Sequence, residues 1–138
     1  MTLDDLKKYY HDQSKTCADV ASLDRPTAGL ILKKLYWDLY NADNIPNQSL
    51  SMFIPDGALN QGVPTVTKMV QQILGLTVDG VPGPDTSAAI IAADPAKLFA
   101  ALYQKRKQRY DEIVANNPFQ QKFYKGWINR LNNIQFKP

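Results

Sequence analysis

Groups able to do chemistry are scarce in this 138-residue chain. A single cysteine, Cys17, excludes an internal disulfide and any cysteine-built metal site. The one histidine, His11, lies near the terminus in a polar run, so a Ser-His-Asp or Cys-His mechanism has almost nothing to use. The one glutamate, Glu112, stands beside Asp111 in Tyr-Asp-Glu-Ile, a setting that reads as an exposed surface pair. No apolar run approaches membrane-spanning length, so membrane insertion is not expected. The opening Met-Thr-Leu-Asp-Asp lacks the basic-then-apolar pattern of a secretory signal, and nothing in the chain is expected to export it. No metal and no cofactor is expected. Net charge is only +3, with a pI near 8.9. That suits contact with an anionic polymer, but it falls short of the Lys/Arg stripe of a nucleic-acid binder.

What is present is helical pattern throughout, with no hairpin signal, repeat or low-complexity segment. At 44% apolar residues the length supports a single core and one domain, 1–138. Thr2 is placed to cap a helix through Leu3, Leu6 and Tyr10, with Asp4 and Asp5 in its first turn. Thr16 is placed to cap a short turn. Asp24, with Pro26 behind it, opens a helix whose crowded Leu30, Ile31, Leu35, Trp37 and Leu39 suggest burial on more than one side. Asn41–Asn47 reads as a loop. A helix from about Asn47 to Gln61 carries Leu50, Phe53, Ile54, Gly57 and Ala58 at inward spacing. Pro55 lies inside it and predicts a kink or break near Ser51. Gly62 and Pro64 separate it from a helix with Val66, Met69, Val70, Ile73 and Leu74 inward.

Leu74 to Thr86 is the densest run of turn chemistry. Gly75 suits a helix end, Asp79-Gly80 a turn, and Gly83-Pro84 a new helix start. Leu76, Val78 and Val81 read as plugs holding this loop to a core. Asp94-Pro95 starts a long helix to about Ala115, faced by Leu98, Phe99, Leu102, Tyr110, Ile113 and Val114. Arg106 falls inside that face, either snorkelling or paired with a buried acid. Asn117-Pro118 precedes a last helix, from Phe119 to about Asn133. These elements predict an all-α orthogonal bundle.

Among the twelve aspartates, Asp4, Asp24, Asp79 and Asp94 are explained as caps or turn residues; Asp56 is the least explained. It flanks a buried stripe, with Asn60 one turn on. Such a pair either lines a groove and hydrogen-bonds a sugar or ties down a neighbouring helix. Tyr36, Trp37 and Tyr40 form one aromatic cluster, and Phe119, Phe123, Tyr124 and Trp127 another; they are core or sugar-stacking rings. Lys122, Lys125 and Arg130 make the second cluster a basic edge, either simply solvated or facing an anionic glycan or peptide carboxylates.

Asp79-Gly80-Val-Pro-Gly83-Pro84-Asp-Thr86, followed by Ala88 and Ala89, resembles the Asp-Gly-x-x-Gly-Pro-x-Thr signature of peptidoglycan-binding modules. Tyr36-Trp37-Asp38, Asp56-Gly-Ala-Leu-Asn60-Gln61-Gly62, Arg106-x-x-Arg109-Tyr110 and Lys125-Gly126-Trp127-Ile-Asn129-Arg130 are similar, in order and spacing, to segments of the bacterial and phage N-acetylmuramidases of glycoside hydrolase family 108. The resemblance implies a lysozyme-like fold, with about 64–134 as the peptidoglycan-binding part. It implies peptidoglycan as partner, and the cell wall or periplasm as the place of action. Glycan contacts are then expected at Asp56, Asn60, Gln61, Asp79, Thr86, Trp127, Asn129 and Arg130. The family's catalytic glutamate, in a Glu-Gly-Gly-Tyr helix, has no counterpart in this sequence, and Pro55 replaces a usually helix-compatible residue. The expectation is therefore a binding domain of an endolysin-type muramidase without full catalytic machinery. The missing helix would come in cis or trans, or a homodimer would close the gap. The alternatives are an active muramidase using Asp56, and a helical adaptor on the same scaffold.

Overall fold

A computed structural model describes residues 2–138, and among them eight α-helices and no strand. In chain order these are α1 (Leu3–Tyr10), α2 (Cys17–Ala21), α3 (Arg25–Leu32), α4 (Gln48–Gln61), α5 (Val63–Leu74), α6 (Pro84–Ala92), α7 (Pro95–Asn116) and α8 (Gln121–Leu131). Their starts follow the caps. Asp5 N–H donates to Thr2 Oγ1 at 3.1 Å, and Thr2 N–H returns a bond to Asp5. Asp24, Asn47 and Asp94 accept from the first-turn amides of α3, α4 and α7. These bonds satisfy donors that a helix start otherwise leaves orphaned.

Helix α4 is the hub. It packs on α5 and α7, and α5 in turn packs on α6 and α7. The whole expected stripe of α4, Leu50 to Ala58, is buried, and Ser49, Ser51 and Pro55 are buried as well. Phe53 meets Phe99 of α7 at 4.2 Å between ring centroids, and Phe99 meets Phe136 of the tail at 5.5 Å. Burying one such ring contributes roughly 2–3 kcal/mol. The tail is stitched back: Lys137 N–H donates to Ser49 Oγ at 2.9 Å, and Asn47 Nδ2 donates to the Lys137 carbonyl at 2.7 Å.

Three sequence expectations need correction. Helix α4 runs unbroken through Pro55. Proline in a helix interior costs about 3 kcal/mol, but here burial of Leu50, Phe53, Ile54, Pro55 and Ala58 outweighs the lost backbone bond. The α3 region is not buried on several sides: only Ile31 and Tyr40 are fully covered, and Leu30 is exposed. After Leu32 the helix widens to a π turn over Lys33–Trp37 and then tightens to a 3-10 turn at Asp38–Tyr40. This change of winding departs from a single α-helical register. Finally, Val78 and Val81 are not plugs; both are largely exposed.

A buried glutamine holds that loop instead. Gln71 of α5 is 2% exposed. Its Nε2 donates to Asp79 Oδ1 (2.8 Å), Thr86 Oγ1 (3.1 Å) and the Val81 carbonyl (3.2 Å). Its Oε1 accepts from the Asp79 and Gly80 amides at 3.1 and 3.0 Å. Gly75 and Gly80 take φ of 71° and 74°, the left-handed values that the turn expectation required.

Candidate functional site

The polar centre of the molecule is built where α4, α7 and α8 meet. Asp56 projects from α4. Its Oδ2 accepts from Arg106 of α7 at 3.3 Å, and its Oδ1 accepts from Arg130 of α8 at 3.1 Å. Arg106 is 0% exposed. Its Nε donates to Gln61 Oε1 at 3.2 Å, its guanidinium lies 4.6 Å from the Phe53 ring centroid, and its carbonyl accepts from Gln61 Nε2. Its Nη1 has no hydrogen-bond partner. Gly57 makes room for it: a Cβ there would sit 3.2 Å from Arg106 Nε. Of the two readings of Arg106, pairing with an acid is the one realised. Asn60 donates to the Tyr110 hydroxyl, and the Tyr110 ring stacks on Trp127 at 5.2 Å.

Asp56 also lines a groove of about 560 Å³ between the α3–π-turn segment and α4. Gly29, Tyr36, Trp37, Asp43 and Leu59 form much of its remaining surface. Trp37 Nε1 donates to Asp43 Oδ1 at 2.8 Å, and Lys33 holds Asp38 at 2.8 Å and Asp43 at 3.6 Å, so the aromatic wall has fixed polar edges. Gly29 is a helical glycine whose absent Cβ would touch nothing within 4 Å, so no packing demand explains it. A hollow of about 710 Å³ beside α1 is also present. The groove at Asp56 is the stronger candidate because a carboxylate and an indole share its surface, the pairing that grips a sugar ring by hydrogen bond and by face.

Asp56 accepts a guanidinium hydrogen bond on each of its oxygens. Tyr36 donates its hydroxyl proton to Asp5, and burial together with that bond pushes its pKa far above the ordinary tyrosine value. Glu112 is exposed on α7, in a shallow depression with Lys105 and Arg109, away from the groove lining. His11 and Cys17 are exposed too. Among the described residues, no cluster of His, Cys, Asp and Glu could hold a metal ion, and no helix is long and apolar enough to cross a membrane.

The sequence-derived glycan set falls into two groups. Asp56, Asn60, Gln61, Trp127 and Arg130 come together at the α4–α7–α8 junction, with exposed Asn129 beside them on α8. Asp79 and Thr86 are at the loop below Gln71. Asp79 is exposed, but Thr86 is buried with its hydroxyl on Gln71, so it positions the loop rather than facing a ligand. The site residues that the sequence reading missed are Gln71 and Asp43. Tyr36 and Trp37 were visible as an aromatic motif, without a groove to put them in.

The fold is a lysozyme-like all-helical bundle. Residues 65–132 match the family model described as "Predicted Peptidoglycan domain". This part of the chain is similar to that family, and it supplies Arg106, Trp127 and Arg130 to the junction. Among solved structures, that of Brucella abortus SagA matches 97% of this chain and 74% of its own, with a TM-score of 0.79 and 25% sequence identity. No curated protein matches the sequence.

Proposed function

We propose that this chain binds the glycan strand of peptidoglycan in the groove between Trp37 and Asp56 and does not cleave it. The observation that carries this reading is the state of Asp56. It is the groove's best-placed carboxyl group, and it is clamped between Arg106 and Arg130. Glycoside hydrolysis needs a carboxylic acid at the leaving oxygen, worth roughly 10²–10⁴-fold in rate. The groove's other carboxylate, Asp43, is engaged as well, accepting from the Trp37 indole and pairing with Lys33. The resemblance to the family 108 muramidases of bacteria and phages then reflects a shared wall-binding scaffold rather than shared chemistry.

The test is to incubate the chain with insoluble sacculi, pellet them, and assay the supernatant for soluble sugar. We expect protein in the pellet and no muropeptides. Gly29→Leu, which fills the groove mouth while improving a helix position by about 1 kcal/mol, is expected to stay folded and lose pelleting. Soluble muropeptides that vanish in Asp56→Asn would establish the muramidase alternative. Failure of the unaltered chain to pellet would overturn glycan binding and favour the adaptor alternative.

A further inference from the structure

The outer face of α8 carries a feature that the groove does not use. Phe123 and Trp127 stand one turn apart on α8, a step of about 6 Å, and Phe119 lies in the 3-10 turn Pro118–Gln120 that leads into it. Phe119 is 87% exposed and Phe123 48% exposed, unusual for phenylalanine. The rings are ordered against one another. Phe123 stacks on Trp127 at 6.1 Å and 28°, and Trp127 stacks on Tyr110 at 5.2 Å and 21°. Lys122 Nζ lies 5.1 Å from the Phe123 centroid. Gly126, between Lys125 and Trp127, would place its Cβ against nothing within 4 Å, so the backbone is open to close approach there.

Charge singles out the same region. Residues 113–138 contain four cations and no acid, while residues 1–112 contain twelve cations and thirteen acids. The positive charge of the whole chain is thus concentrated in the segment that bears the exposed rings. A partner that is apolar alone would not need this; a polymer offering pyranose faces together with carboxylates would use both.

We infer that the Phe119–Phe123–Trp127 stripe with Lys122 and Lys125 is a second contact surface for peptidoglycan. It stacks the glycan and pairs its peptide carboxylates, in addition to the Asp56 groove. This rests on the wall-binding reading proposed above and extends it beyond the groove, along a stripe that shares Trp127 with the α4–α7–α8 junction.

The experiment is sedimentation of the full chain with sacculi, intact or with their free carboxylates amidated by a carbodiimide and ammonia, over a series of salt concentrations. Phe119→Ala/Phe123→Ala removes exposed side chains only, and a melting curve checks that it remains folded. It is expected to bind about ten-fold more weakly. Lys122→Gln/Lys125→Gln is expected to weaken binding to intact sacculi, flatten the salt dependence, and have little effect on amidated sacculi. Binding of the Phe119→Ala/Phe123→Ala protein equal to the parent overturns the second surface while leaving the groove reading intact. Equal affinity for intact and amidated sacculi overturns the carboxylate contact. A concentration-dependent dimer of the parent, abolished by the same double substitution, would assign the stripe to a second copy and overturn the inference. Failure of the parent to sediment at all would sink the groove reading as well.

Discussion

Removing Asp56 tests the architecture of the site most directly, because it strands a buried cation. Arg106 is wholly enclosed; it already has one nitrogen without a partner, and its charge is met by Asp56 alone among the acids. Breaking a buried pair from one side costs about 3–5 kcal/mol, since the remaining ion is uncompensated. The Asp56 side chain keeps 22% of its exposure, so water partly screens the pair and the lower end applies. Asp56→Ala is therefore expected to cost about 3 kcal/mol. Arg106→Met takes the charge away and leaves an unbranched apolar chain against Phe53. Asp56 then keeps Arg130 and solvent, and the cost is expected to stay near 1 kcal/mol. The double variant should be more stable than Asp56→Ala by about 2 kcal/mol, because the stranded charge is gone. Urea unfolding followed by circular dichroism reads this. With an m-value of about 1.5 kcal/mol/M, Asp56→Ala moves the midpoint down by about 2 M. A shift of Asp56→Ala below roughly 0.3 M, or strict additivity in the double variant, would refute the claim that Asp56 compensates Arg106.

Gln71→Ala should loosen the Asp79–Thr86 loop. It orphans the buried Gly80 amide and the Thr86 hydroxyl, at about 1–3 kcal/mol for each unsatisfied group, and the total loss should be about 3 kcal/mol. Hydrogen exchange is the direct readout: unchanged protection of the Gly80 amide in the variant would show that something else holds the loop. A pH effect follows from Asp5. Burial pushes its pKa up, but bonds from Tyr36, the Thr2 amide and the Thr2 hydroxyl outweigh burial and leave it below the usual 3.8. A folded-state value below the unfolded one stabilises the protein above about pH 4, and this is lost as pH falls through the folded value. Tyr36→Phe removes the largest of these bonds, so it should be less stable than the parent at pH 6, with the gap narrowing towards pH 3. A gap that is constant with pH would mean that Tyr36 matters only for packing.

How far the sequence reveals this molecule depends on whether a residue's cause is local. Caps, positive-φ glycines and helix-opening prolines act within three or four residues, and Thr2, Asp24, Asn47, Gly75, Gly80 and Pro84 fall where local chemistry puts them. Pro55 shows the limit: its local penalty is real, but α4 lies at the centre of the core and tertiary packing decides. Gln71 shows the opposite limit. A glutamine beside an apolar stripe looks like the solvent edge of a helix. Its burial follows from a loop eight to fifteen residues later folding back over it, and no periodicity of α5 records that. Its neighbour Thr67, buried one turn earlier with its hydroxyl 2.8 Å from Tyr40, was the available hint that the inward face of α5 is wider than its valines.

The site divides along the same line. Asp56 and Asn60 were identifiable because their spacing put them at the edge of a buried face. Arg106 was identifiable because a cation interrupted an apolar one. What joined them lay about fifty residues apart in sequence, and the groove itself depends on the π turn at Lys33–Trp37, which places Trp37 opposite α4. That geometry is also the ground for proposing binding rather than chemistry. A lone aspartate in the sequence is compatible with either. A carboxylate clamped by two arginines beside an ordered indole is suited to receiving sugar hydroxyls, and its clamps arrive from the two helices, α7 and α8, that lie within the peptidoglycan-binding match. On the proposed reading, the ion cluster at the groove also holds α4, α7 and α8 together, so substitutions at Asp56 or Arg130 should disturb affinity and stability together, whereas Gly29→Leu should lower affinity without loss of stability.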